Sequence, residues 1–211
     1  MKIIPFSGSC LSGKTTTIYY LKNLLEKEGF RVKIAEEPIR EILNELKISI
    51  DDLRNNVDYF LLVQKRVLEK RIENEIKIVT DLHHQREKYD YLFIDRSAAD
   101  VFFYVTFYLD KKLLLTEKQT RDYKNLLLEI NEYVKKSSGL YDKIFLFEPL
   151  KKIIINDDSY RPKNISEEKK YLEYELIKLY THLFFNQNYI VEVDMNKENE
   201  PNKLFKILKY L

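Results

Sequence analysis

Near the start of the chain, Gly8-Ser9-Cys10-Leu11-Ser12-Gly13-Lys14-Thr15 carries residue types and a spacing that do chemistry. Two glycines let the backbone curl until successive N–H groups face one centre, and a helix starting directly behind them adds its positive end. The product is a cradle for a polyphosphate. Lys14 is placed to reach β- and γ-phosphates, Thr15 to offer a hydroxyl to Mg2+, and Thr16 to extend the lining beyond the loop. The pattern G-x-x-x-x-G-K-[ST] arises by chance roughly once per thousand chains of this residue frequency. A purine triphosphate with Mg2+ is the expected ligand.

Further candidates stand just after apolar runs. In a parallel sheet, ligands lie beyond the carboxyl ends of the strands, so polar residues there carry the most weight. Glu36, Glu37, Pro38 and Arg40 follow one run, and Asp95-Arg96 follow another. Asp95 is placed to hold Mg2+ through water; otherwise it reads as an acid favoured by a helix N-terminus. Arg96 is a bidentate clamp for a phosphate or acceptor oxygen, or one half of a salt bridge. Glu37 is the candidate base for an acceptor hydroxyl, against a bland reading of Glu36 and Glu37 as solvated first-turn acids. Gln64 puts a carboxamide into an apolar stripe, where a ligand or the backbone must satisfy it. Arg71 flanks the same stripe, and its long stem is expected to snorkel to the surface. Between Asp157 and Lys163, a polar loop offers Arg161 to transition-state charge, or is an ordinary surface loop.

These residues need a scaffold. Lys2 to Phe6, Arg31 to Ala35, Tyr91 to Ile94, Lys143 to Phe147 and Tyr189 to Val193 are short apolar runs that read as five buried strands. Between them lie helical patterns: Gly13 to Glu28, a segment opened by Pro38, a long stripe from Asp51 to Lys88, Ser97 to Leu109 with a Ser97/Asp100 capping box, and Glu117 to Lys136. Ser166 to Phe185 and Pro201 to Leu211 complete the series. Alternation of strand and helix predicts a parallel sheet covered on both faces, a three-layer α/β domain spanning 1–211. The aromatic run Val101 to Leu109 is read as core, with a homodimer face as the alternative.

Composition removes several classes. Of 211 residues, 36 are Lys or Arg and 34 Asp or Glu, a net charge of +2 that argues against a nucleic-acid platform. One cysteine and three histidines leave no disulfide framework and no zinc spacing, which fits a reducing, cytoplasmic setting. No apolar run reaches the roughly 18–20 residues of a spanning helix.

Taken together, the motifs resemble the nucleoside and nucleotide kinase branch of phosphate-loop (P-loop) proteins. Deoxynucleoside kinases are similar in the loop Gly8 to Thr15, Glu37-Pro38, Asp95-Arg96-Ser97 and a lid arginine, here Arg161. The ATPase-domain family that includes the ribosylnicotinamide kinase part of bacterial NAD regulators is similar in Glu37 with Arg40, Gln64, Asp95-Arg96, and Asp158 with Arg161. The resemblance implies a P-loop NTPase fold with strand order 2-3-1-4-5, ATP with Mg2+, a lid at about 150–166, and a small nucleoside-like acceptor between the second and third helices. In that reading Lys14, Glu37, Arg96 and Arg161 are catalytic, Thr15 and Asp95 hold the metal, and Glu37, Arg40, Gln64 and Arg96 bind the acceptor. The implied activity is ATP-dependent phosphoryl transfer. Its alternative is a nucleotide-dependent ATPase that switches a partner. A GTPase is disfavoured, because Asn196-Lys197-Glu198-Asn199 lacks the guanine-reading carboxylate and Asp95-Arg96-Ser97-Ala98 lacks the Gly of D-x-x-G.

Overall fold

A computed structural model describes residues 1–84, 89–109, 114–151, 166–194, 196 and 207–211. Its strands are β1 (Lys2–Gly8), β2 (Val32–Ala35), β3 (Tyr91–Asp95), β4 (Ile144–Phe147) and β5 (Ile190–Val193). All neighbours pair in parallel, in the order β2-β3-β1-β4-β5. Both the three-layer α/β expectation and the strand order hold. The helices are α1 (Lys14–Lys27), α2 (Ile39–Leu46), α3 (Ile50–Asn55), α4 (Val57–His84), α5 (Ala98–Leu109), α6 (Glu117–Ser138) and α7 (Glu167–Phe184).

Strand periodicity explains the layers. Tyr91 and Phe93 of β3 join Ile4 and Phe6 of β1 and Phe145 and Phe147 of β4 on the face covered by Ile18, Leu21 and Leu25 of α1. The alternate residues Leu92 and Ile94 face the other way, into a larger core with α2 to α6. Fully burying each of these large side chains contributes roughly 1.5–3 kcal/mol. The aromatic α5 is core, as expected: Val101, Phe103, Val105 and Leu109 are buried, and Phe102 packs edge-on against Tyr180 and Phe184 of α7. No described helix is long and apolar enough to cross a membrane.

One expected element divides. The single helix from Asp51 becomes α3 and α4, because Asn56 is extended (φ −118°, ψ 120°) and its side-chain oxygen accepts from the N–H groups of Asp58 and Tyr59 at 2.9 and 3.2 Å. Ser49 opens α3 with a complete capping box to Asp52. Ser166 caps α7 as expected, accepting from the N–H of Lys169. Of the last expected helix, Ile207 and Leu208 are described as helical, and the rest lies outside the described residues.

Parallel pairing puts every strand's carboxyl end on one edge. Phe6 sits beside Asp95, and Gly8 beside Phe147, so the turns after β1, β3 and β4 converge.

Candidate functional site

Gly8 leaves β1 at φ +134°, and a Cβ there would drive into the backbone carbonyl of Phe147. Glycine is therefore required at this point for both conformation and space. Leu11 (φ 61°) and Gly13 (φ 84°) complete the curl. Behind it, α1 begins with no side-chain cap and no acid in its first turn. Each of α2 to α7 carries an acid there. With no side-chain cap and no acid of its own in the first turn, this terminus is suited to an anion.

Inside the loop the Lys14 side chain folds back. Its Nζ donates to the carbonyls of Gly8 (2.9 Å) and Ser9 (2.6 Å) and to Ser12 Oγ (3.1 Å). Burial lowers the ammonium's pKa below that of an ordinary lysine, and the nearby Arg96 charge pushes the same way. Phosphate oxygens would serve this cation better than neutral carbonyls. The buried Ser9 Oγ has no hydrogen-bond partner among the described residues, a second sign that the loop is shaped around polar atoms it does not itself supply.

Thr15 and Asp95 meet: the threonine hydroxyl donates to the carboxylate at 2.7 Å. Both are hard oxygen donors of the kind Mg2+ prefers. Among the described residues no group of three His, Cys, Asp or Glu gathers as a metal cage. This pair could hold a Mg2+ together with oxygens of a bound nucleotide. Thr16 is exposed in the first turn of α1.

Arg96 is the hub of a polar cluster beside the loop. Its Nε donates to Glu37, its Nη1 to Tyr104 Oη (2.8 Å), and it lies over the Tyr104 ring at 4.7 Å. The same nitrogen reaches toward the Gly8 carbonyl (3.5 Å) and pairs with Asp100 (3.7 Å). Its backbone is left-handed, φ +78°, an arrangement costly for a residue with a Cβ. The structure thus brings Lys14, Thr15, Asp95, Glu37 and Arg96 together. Glu36 is exposed and accepts from Tyr19 Oη, and Arg40 is exposed in the first turn of α2. Gln64 is buried and lies seven residues before Arg71 on the same face of α4. The lid with Asp158 and Arg161 lies outside the described residues, as do Lys197 to Asn199.

Two residues outgrow their sequence reading, and a third, Glu173, has none. Asp100, a capping residue by sequence, is fully buried and accepts from Ser7 Oγ (2.5 Å), the Gly8 N–H (3.2 Å), the Ser97 N–H (2.8 Å) and Ser97 Oγ (2.7 Å). It ties the loop to the turn after β3. Arg71 does not snorkel. It is only 3% exposed, because the carbonyls of Asp95 and Arg96 offer its guanidinium acceptors inside the protein. Glu173 of α7 is also fully buried, accepting from Tyr108 Oη (2.9 Å) and Cys10 Sγ (3.5 Å). Burial, followed by the charge of Glu173, pushes the Cys10 thiol up to about 11. A groove of about 630 Å3 between α4 and α6 shares no residue with the loop and lies apart from this chemistry.

The AAA domain family matches residues 3–196. The chain belongs to the AAA domain family. In structure, this AAA domain is similar to the NadR protein in complex with NAD and AMP-PNP, with 16% identity and a TM-score of 0.61, covering 99% of this chain and 49% of that one. It is similar again to the NadR protein in complex with NR, with 16% identity and a TM-score of 0.62, covering 99% of this chain and 51% of that one. The AAA domain spans about half the length of these structures, and at that identity the likeness is one of fold. No curated protein matches the chain in sequence.

Proposed function

We propose that this domain transfers the γ-phosphoryl group of ATP to a hydroxyl or phosphate of a small nucleoside-like acceptor. The observation that carries the reading is the Arg96 hub, which joins an acceptor-side carboxylate, Glu37, to the loop that would hold the triphosphate. The NadR structures support the reading, since that protein is seen with an ATP analogue and, separately, with NR.

In this mechanism Lys14 exchanges its loop carbonyls for β- and γ-phosphate oxygens. Thr15 and Asp95 would hold Mg2+, whose charge would offset that of the phosphates when it is bound. Glu37 takes the proton of an acceptor hydroxyl as its oxygen attacks the γ-phosphorus and the bond to ADP breaks. Arg96 keeps Glu37 in place and offsets charge building on the transferring group. Gln64 and Arg40 would contribute to the acceptor side, and Arg161 would close over the phosphates from the lid.

Incubation with ATP, Mg2+ and a panel of nucleosides and nucleotides tests this. The expected result is ADP formation that depends on one acceptor class and falls about 100-fold or more in Glu37→Gln. ADP release indifferent to every acceptor and to Glu37→Gln would instead mark a nucleotide-hydrolysing switch.

A further inference from the structure

A guanidinium that is 3% exposed needs a reason to be inside, since a buried charge is costly unless paired and hydrogen-bonded. Arg71 spends its fork on backbone. Nη2 donates to the carbonyl of Asp95 at 2.7 Å and Nη1 to that of Arg96 at 3.0 Å, while its buried Nε has no partner among the described residues. One turn further along α4, Glu75 lies 3.8 Å from Nη1 and is itself 5% exposed. Glu75 accepts from Tyr133 Oη of α6 (2.5 Å) and from Tyr141 Oη, before β4 (3.5 Å). A polar chain therefore runs from α6 through α4 to the end of β3, inside an otherwise apolar core.

Stability alone does not account for it, because buried ion pairs replaced by apolar groups of similar volume are often neutral or stabilising. Its endpoint is informative. The two carbonyls belong to the residues whose side chains meet Thr15 and Glu37, and one of them stands at φ +78°. Left to itself, a non-glycine residue relaxes from that region, and relaxation would swing the Arg96 side chain away from its partners. A planar fork captures both carbonyls at once, which a lysine's point charge does not.

We propose that Arg71, backed by Glu75, Tyr133 and Tyr141, is a positioning residue: by holding the Asp95 and Arg96 carbonyls it keeps the Asp95 carboxylate on Thr15 and the Arg96 guanidinium on Glu37. Arg71 acts through backbone and touches no ligand. The inference rests on the reading of Thr15 and Asp95 as the pair that holds Mg2+.

The test measures the affinity of the full chain for a fluorescent ATP analogue with and without Mg2+, alongside thermal melting. Three variants serve: Arg71→Lys, which keeps the charge beside Glu75 but loses the fork; Arg71→Met with Glu75→Gln, which removes both charges together; and Tyr133→Phe, which deletes one bond to Glu75 and keeps the ring. In wild type, Mg2+ strengthens binding. In both Arg71 variants that enhancement falls about 10- to 100-fold, the range for groups that orient a metal ligand, while Mg2+-free affinity, which rests on the loop, changes little. Tyr133→Phe shifts it in the same direction by a smaller factor, and carries the test alone if the Arg71 variants do not fold. Retention of the wild-type enhancement, or parallel loss of affinity with and without Mg2+, overturns the positioning role. A wild-type protein that binds the analogue equally well without Mg2+ overturns the underlying Thr15–Asp95 reading instead.

Discussion

Asp100→Ala is expected to unfasten the phosphate loop. The carboxylate accepts four hydrogen bonds, from Ser7, from the Gly8 N–H and twice from Ser97, and pairs with Arg96, with no exposure to water. Stranding each buried donor costs about 1–3 kcal/mol, a sum that would rival a whole domain's stability of roughly 5–15 kcal/mol. Hydroxyls can turn and a water can enter the space, so the better guide is removal of one partner of a buried ion pair, about 3–5 kcal/mol. For a chain of this size that lowers the melting temperature by roughly 6–20 °C. Asp100→Asn keeps the volume but leaves one oxygen for two backbone N–H groups, and its fall is about half as large. Melting followed by circular dichroism, with and without the Mg2+ complex of an ATP analogue, reads both stability and binding. Wild type gains about 2.7 kcal/mol at a ligand concentration 100 times Kd. Asp100→Ala loses most of that gain because Gly8 is no longer anchored. A variant melting within about 2 °C of wild type, with the ligand-induced rise intact, would refute the role given to Asp100.

Gly8→Ala destabilises by at least about 2 kcal/mol, since the new methyl group meets the Phe147 carbonyl at a φ that side chains avoid; a denaturant midpoint equal to wild type would contradict this. At position 96 the order reverses the usual one: Arg96→Gly is more stable than Arg96→Ala by about 1 kcal/mol, because only glycine rests comfortably at φ +78°. Equal midpoints for the two would count against backbone strain there. Cys10, the single cysteine, holds its proton up to about 11 against an ordinary 9.0, so at pH 9 its alkylation in the native protein is about 50-fold slower than in the unfolded chain. The folded form then keeps a proton that the unfolded chain sheds, so the thiol's contribution to stability is complete below pH 9 and is lost as pH rises through 11. Glu173→Gln removes the adjacent charge and speeds alkylation; an unchanged rate would deny that contact.

What was legible in the sequence was whatever local order writes down. The apolar runs of β1, β3 and β4 and the glycines of the loop are contiguous signals, and alternation of the elements is enough for a parallel sheet. The strand order came from the motifs' resemblance to P-loop kinases, because periodicity does not say which strand lies beside which. Asn56 was missed because the apolar stripe runs on through it, while the break is made by a side-chain oxygen that caps the next turn. For Asp100, the contact three residues back to Ser97 was visible, but Ser7 and Gly8 lie more than ninety positions away. Arg71 carried one usable sign, a glutamate four residues later, but that pattern usually marks an exposed helix face. Only the fold reveals that this face meets two backbone carbonyls.

The loop runs from Gly8 to Thr15, yet the contacts that set its shape come from much later in the chain. Gly8 is anchored by Asp100, Thr15 bonds to Asp95 at the end of β3, and Cys10 meets Glu173 on α7. Closing contacts across such separations is slow, and it follows the local helices. A chain unfolded at α7 or at the end of β3 would carry the complete loop sequence without the contacts that set its shape.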